Sequence, residues 1–356
     1  MSYAAVGPNA MTMTCALKSE LVLGIETSCD DTAAAVVAGG RRVLSSVVAS
    51  QEEVHALFGG VVPEVASRKH VEVITKVVQE ALDRAPCGWD DLGGMAVTNG
   101  PGLIGSLLVG VSAAKAYHLA LGLPLVGVNH IAAHLMSNFC DLPEHRGAPE
   151  DFPLMCLVAS GGHTDLCLLT APGQYEVIGL TRDDAAGEAL DKAARLLDLG
   201  YPGGPALERA AREGVARFEL PRPTIAGTHD FSFSGLKSAL VRLVEDLRKA
   251  GHDPLPVADL AASFQQAVVD TLVRNLTQAA LAHGARQILL AGGVAANSVL
   301  RRDLAAAGAK LGLPVRYPPL ALCTDNAAMV AAAGYYSLVA GRRDDLALDV
   351  FAAQSA

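Results

Sequence analysis

One order of short elements occurs twice in this chain, and that duplication narrows the available folds more than any other feature. Leu21-Val22-Leu23-Gly24-Ile25 reads as a strand, Glu26 to Thr32 as a polar loop, and Ala33 to Ala38 as a second strand. Gly39-Gly40 follows as a tight turn and Val43 to Val48 as a third strand. The order returns with Met155 to Ala159, the loop Ser160-Gly161-Gly162-His163-Thr164, Asp165 to Thr170, the turn Pro172-Gly173, and Tyr175 to Leu180. The distal parts match as well. A strand over 95–98, a Gly-Pro-Gly loop, a helix over 103–121 and a strand over 125–128 lead to a histidine-bearing helix. A strand over 287–291, a glycine loop over 292–297, a helix over 298–311 and a strand over 315–317 lead to Asp325. A repeat of this length predicts two copies of one α/β unit.

The duplicated pattern predicts a boundary between the halves at 143–152. The expected organisation is a disordered leader over 1–20, a first lobe over 21–150, a second lobe over 151–341 with a helical insertion at 182–260, and a C-terminal tail over 342–356. Ligands of α/β sheets gather beyond the carboxyl ends of strands. With the halves facing each other, His130 and Asp325 are expected on opposite walls of one central cleft, with the metal site at the cleft surface.

His130 and His134 are spaced i and i+4, so both imidazoles share one helix face and can reach one divalent ion. Asp325 adds a hard oxygen. Two histidines and a carboxylate with open positions suit a metal that touches substrate. An isolated pair of this kind also suits plain packing, and the surrounding architecture is what favours the ligand role. Ile131 stands where an H-E-x-x-H protease has its glutamate.

The 356 residues carry a net charge of −9, which is unfavourable for binding nucleic acid unaided. Seven cysteines without a C-x-x-C pair indicate a reducing compartment. The apolar stretch over 102–128 is broken by Lys115, His118 and Pro124 and reads as core, not as a membrane span. No signal peptide is read in residues 1–20. Val158, Ala159, Ser160, Gly161 and Gly162 form a small-residue loop that a phosphate can approach closely. The loop over 292–297 ends in Asn297, whose amide can donate or accept, while its glycines let a nucleobase or ribose lie on the backbone. Neither a dinucleotide fingerprint nor a P-loop is present. Cys29 reads as packed, not as a nucleophile.

Taken together, Gly24-Ile25-Glu26-Thr27-Ser28-Cys29-Asp30-Asp31-Thr32, Pro63 to Arg68, the histidine pair and the Ser-Gly-Gly-His-Thr loop form one set. Asp183 to Lys192, Tyr201-Pro202-Gly203-Gly204-Pro205, Asp230 to Lys237, Ala291 to Asn297 and Cys323-Thr324-Asp325-Asn326 complete it. The set resembles the tRNA N6-adenosine threonylcarbamoyltransferase (TsaD) family, formerly called glycoproteases, from about Leu21 to Gly341. The resemblance implies a duplicated actin/Hsp70-like (ASKHA) ATPase fold, α/β, with two lobes around a central cleft. It implies a cytoplasmic, metal-dependent acyltransferase that moves the threonylcarbamoyl group from threonylcarbamoyl-AMP to the adenosine 3′ of the tRNA anticodon.

By the same resemblance His130, His134 and Asp325 bind the metal, with iron(II), Fe(2+), foremost and zinc or manganese as alternatives. Val158, Ala159, Ser160, Gly161, Gly162, Asp191, Gly204 and Asn297 bind the adenylate. Asp31 is the candidate acid. The implied partners are tRNA, a TsaB-type inactive paralogue and a TsaE-type small ATPase, with no membrane. Two positions depart from the family pattern: Ala132 stands where an acid is common, which predicts a missing contact near the histidines, and Asp31 replaces a glutamate. A metalloprotease and a non-catalytic actin-like nucleotide switch are the competing readings.

Overall fold

The computed structural model describes residues 17–147 and 151–352. The chain divides into two compact units. One comprises Met1–Glu150, Pro172–Glu176 and Pro318–Ala356; the other comprises Asp151–Ala171 and Val177–Tyr317. Residues 1–16 of the expected leader lie outside the described residues.

In the first unit β1 (Leu21–Glu26), β2 (Asp31–Ala38), β3 (Arg42–Ser50), β4 (Gly94–Gly100) and β5 (Leu125–Asn129) form a sheet in the order β3-β2-β1-β4-β5. β1 runs antiparallel to β2 and parallel to β4, and β4 runs parallel to β5. β1 is apolar from Leu21 to Ile25, ahead of its last residue Glu26, because it is buried on both faces. The helices of this unit are α1 (Glu52–Ala56), α2 (Pro63–Arg84), α3 (Ile104–Leu121) and α4 (His130–Met136). Ile74, Val77, Val78, Ala81 and Leu82 of α2 pack into the same core as Leu23, Ile25, Ala34 and Val36 of the sheet. α3 ends at Gly122, whose left-handed φ of 67° closes the last turn on His118.

In the second unit β6 (Leu154–Ala159), β7 (Thr164–Ala171), β8 (Gln174–Gly179), β9 (Gln287–Ala291) and β10 (Val315–Arg316) are ordered β10-β9-β6-β7-β8. Read from the β8 edge, this is the order of the first sheet, strand for strand, so the duplication is real in topology. Its helices are α5 (Ala186–Leu196), α6 (Gly203–Ala211), α7 (Ser234–Lys249), α8 (Val257–Ala282) and α9 (Ser298–Leu311). The long helices α2 and α8 were not singled out by the repeat.

Two expectations about the chain's last quarter need correction. α10 (Ala327–Val339) follows the second unit in sequence yet packs on the first sheet. Small residues make this possible: a Cβ on Gly24 of β1 would lie 2.2 Å from the Ala327 carbonyl oxygen, and one on Gly334 would lie 2.2 Å from the Cβ of Ala96 in β4. Asp325 therefore belongs to the unit that carries the histidines, and the second lobe does not run to 341.

The expected tail is also structural over 342–352. Asp344 N–H donates to Leu125 O, Gly127 N–H donates to the Asp344 carboxylate, and Phe351 N–H donates to Asn99 O. The segment covers the edge strand β5, whose backbone would otherwise be open to pairing.

Candidate metal centre and ligand loops

β5 passes directly into α4 because Asn129 caps the helix. Its Oδ1 accepts from Ile131 N at 2.8 Å and from Ala132 N at 3.1 Å. The cap makes His130 the first helical residue and sets His134 one turn later. Asn326 caps α10 in the same way, accepting from Met329 N at 3.0 Å, and so holds Asp325 immediately ahead of that helix. An asparagine before each helix was the sequence signal for both placements.

The donor atoms of His130, His134 and Asp325 all lie within 4.8 Å of one another. Asp325 Oδ1 is 3.1 Å from His134 Nε2 and 3.7 Å from His130 Nε2. The two rings meet edge to face with centroids 4.6 Å apart. His134 is wholly buried and His130 nearly so, which corrects the expectation of a site at a surface. Neither nitrogen of His134 has a hydrogen-bond partner among the described residues. A buried imidazole left without partners costs free energy, and a cation between His134 and Asp325 would remove that cost. Two nitrogens and one oxygen suit a divalent transition metal.

Behind His130 lies Glu26, the last residue of β1 and wholly buried. Its Oε2 accepts from Thr98 Oγ1 at 2.6 Å and lies 3.3 Å from His130 Nδ1. Burial opposes ionisation of Glu26, but the adjacent His130 outweighs it and holds the carboxyl below its ordinary value. Burial likewise opposes the charge on His130, and the Asp325 and Glu26 carboxylates overcome it, raising that imidazole to about 9.

The polar loop after β1 is pinned by His70 of α2. Its Nδ1 meets Thr32 Oγ1 at 2.7 Å and its Nε2 meets Cys29 O at 3.0 Å. His70 was missed in the sequence because it falls on the apolar stripe of α2 with Ala66 and Ile74. Asp31, at the loop's end, is raised to about 7, chiefly by burial, against a hydrogen bond from Ser50. Burial, with Asp30 and Asp325, raises the Cys29 thiol well above its ordinary value, so it is no thiolate nucleophile.

In the second unit Val158 and Ala159 are buried at the end of β6, and the loop beyond them is closed by Ser160 N donating to His163 O. A Cβ at Gly161, Gly162 or Gly204 would meet nothing within 4 Å. Asp191 of α5 accepts from Gly204 N at 2.9 Å, which brings those two together. Gly187, at the start of α5, donates to Ser160 O, so the same helix abuts the small-residue loop. The amide of Asn297, expected to donate or accept, does both within the fold. It caps α9 through Leu300 N at 3.0 Å and donates to Gln265 Oε1 at 2.9 Å. Gly292 serves packing, with φ 83° and Ala159 O 2.4 Å from where its Cβ would stand.

The family model described as tRNA N6-adenosine threonylcarbamoyltransferase (TsaD) matches residues 42–332. The chain belongs to the TsaD family. A curated relative of that name from Dehalococcoides mccartyi is 53% identical over 336 residues, covering 94% of this chain and 98% of that one. Another, from Geobacillus thermodenitrificans, is 55% identical over 330 residues, covering 92% and 94%.

Solved structures support the actin/Hsp70-like fold. Component A of the (R)-2-hydroxyglutaryl-CoA dehydratase of Acidaminococcus fermentans aligns with TM-score 0.52 at 16% identity, over 90% of this chain and all of that one. HypF of T. kodakarensis aligns with TM-score 0.58 at 14% identity, over 90% of this chain and 48% of that one. The position of Ala132 bears little on the histidine pair. Ala132 lies two residues from each histidine, about 200° around the helix, so its side chain points away from the pair.

Proposed function

We propose that this chain transfers the threonylcarbamoyl group from threonylcarbamoyl-AMP to N6 of the adenosine 3′ of the anticodon, in tRNAs that read codons beginning with A. The observation that carries this reading is the convergence of the His130, His134 and Asp325 donor atoms within 4.8 Å in a chain of the TsaD family. A protease reading is disfavoured by Ile131, which is 2% exposed in the core where a catalytic glutamate would have to reach solvent. Two imidazole donors also suit a nucleotide switch poorly, since magnesium prefers carboxylates and water.

In the transfer, the N6 lone pair of adenosine attacks the carbamoyl carbon and a C–N bond forms. The bond from that carbon to the phosphoryl oxygen breaks, and AMP leaves with the electron pair. The amine proton passes to the departing phosphate or to a nearby base. Asp31, standing at about 7, can exchange a proton near neutral pH. Val158, Ala159, Ser160, Gly161 and Gly162 offer backbone amides and open space for the phosphate, Asp191 can accept from ribose hydroxyls, and Gly204 leaves open space beside it, while Asn297, held by its cap and by Gln265, would serve the adenylate pocket by fixing the loop over 292–297. His130, His134 and Asp325 would hold the divalent ion, iron(II) foremost and zinc or manganese otherwise, which would supply positive charge to orient the threonyl end or polarise the carbonyl.

Acting on tRNA, the protein would work in the cytoplasm. At net charge −9 the chain needs help to hold tRNA, and we assign that help to TsaB-type and TsaE-type proteins. Val71 of α2 with Leu108 and Leu119 of α3 are exposed apolar positions that a helical partner would cover.

The test is stoichiometric. Given adenylate and tRNA, the protein should release one AMP per modified adenosine, slowly alone and faster with helpers, since positioning is the main barrier to a two-substrate transfer. Asp325→Ala should stop both products together. Peptide cleavage that needs Asp325 and ignores adenylate would show a protease instead.

A further inference from the structure

Glu26 is a fully buried carboxylate at the end of the central strand β1. Among the described residues no lysine or arginine reaches it, and its one ion-pair partner is His130. Burying a carboxylate that has no permanently charged partner is among the costlier single features of a fold. This one is nevertheless held at three points. Its Oε1 accepts from Ser28 N at 2.5 Å, its Oε2 accepts from Thr98 Oγ1 at 2.6 Å, and the same Oε2 faces His130 Nδ1 at 3.3 Å. The other nitrogen of His130 faces Asp325 Oδ1.

We propose that Glu26 is the positioning residue of the metal centre: it accepts the Nδ1 proton of His130 and leaves Nε2 of that ring bare toward the ion shared with His134 and Asp325. The inference rests on the reading of those three residues as metal ligands.

Two physical consequences support it. An imidazole ligates only through an unprotonated nitrogen, and a carboxylate at the opposite nitrogen fixes that tautomer and raises the basicity of the ligand. A dication with two neutral imidazoles and the carboxylates of Asp325 and Glu26 is also electrically balanced, so a bound ion would take over from a protonated His130 in offsetting the charge of the buried Glu26.

One competitor stands close by. Ser28 Oγ is 3.2 Å from the same Nδ1. If its hydroxyl donated to Nδ1, the ring proton would sit on Nε2 and block ligation. The two arrangements therefore predict opposite tautomers.

The experiment is a zinc titration of the full chain against a chromophoric chelator at neutral pH. In Glu26→Gln the amide has one oxygen where the carboxylate has two. Whichever way it turns, either His130 Nδ1–H or Ser28 N–H meets a donor. Zinc affinity should fall about 10- to 100-fold, Ser28→Ala should stay close to the wild type, and His134→Ala should lose binding. Wild-type affinity in Glu26→Gln, beside a null His134→Ala, would overturn the role of Glu26 and leave the metal site standing. No zinc binding by the wild type would overturn both. Should Glu26→Gln fail to fold, nitrogen-15 histidine spectra of the zinc-loaded wild type decide the matter: a proton on His130 Nδ1 supports the proposal, and a proton on Nε2 overturns it.

Discussion

His134 Nε2 lies 3.1 Å from Asp325 Oδ1, yet the two atoms are not joined by a hydrogen bond of ordinary geometry. A buried imidazole and a carboxylate arranged in this way are set to share a cation. His134→Ala should abolish zinc binding, so that added zinc no longer raises the unfolding temperature. Because His134 is fully buried, the metal-free variant should also lose about 2 kcal/mol through the cavity left behind. Zinc-dependent stabilisation of His134→Ala, read by differential scanning calorimetry, would contradict the site.

Gly24 allows α10 to lie against β1. A Cβ there would meet backbone atoms, Ala327 O at 2.2 Å and Ala331 N at 2.6 Å. Gly24→Ala must push α10 outward, with an expected loss of about 3 kcal/mol. Asp325 precedes that helix, so zinc affinity should fall as well. Urea unfolding and zinc titration of the same variant measure both effects, and an unchanged midpoint would show that α10 yields freely.

Gly161 poses the opposite case, since its Cβ would enter open space. Gly161→Val should fold as the wild type does and still bind zinc. Its branched side chain would occupy the room assigned to phosphate and stiffen the loop. AMP affinity by calorimetry should drop at least about tenfold, roughly 1.4 kcal/mol. Undiminished AMP binding would reduce this loop to a plain turn.

Asp165, the second residue of β7, is raised by burial from 3.8 to about 6. Between those values the folded protein keeps a proton that the unfolded chain has released. Stability therefore falls as pH rises through that window, and the loss is complete above it. Asp165→Asn removes the titration. The gain of the variant relative to wild type should grow to about 3 kcal/mol between pH 4 and pH 7. Parallel unfolding curves of the two proteins across that range, with no growing gap, would show that Asp165 is better solvated than its position implies.

Much of this protein was legible in its sequence because the signals are local. The strands β1, β2, β6 and β7 follow from apolar runs bounded by polar loops and glycine turns, and the duplication follows from their repeated order. The spacing of His130 and His134 places both on one helix face whatever the rest of the chain does, since that face is set by helical geometry. Other features depend on residues distant in sequence, and only the tertiary structure decided them. α10 returns to the first sheet because Gly24, Ala96 and Gly334 permit backbones to approach, and that return puts Asp325 beside the histidines in one unit. Asn297 is committed to a cap and to Gln265, which no reading of its loop alone could show. Glu26 looked like one more acid in a polar turn, and its meaning came from Thr98 and His130, which close around it only in the folded chain. Burial is a property of the whole packing, so the residues whose chemistry depends on being buried were the ones that sequence periodicity left open.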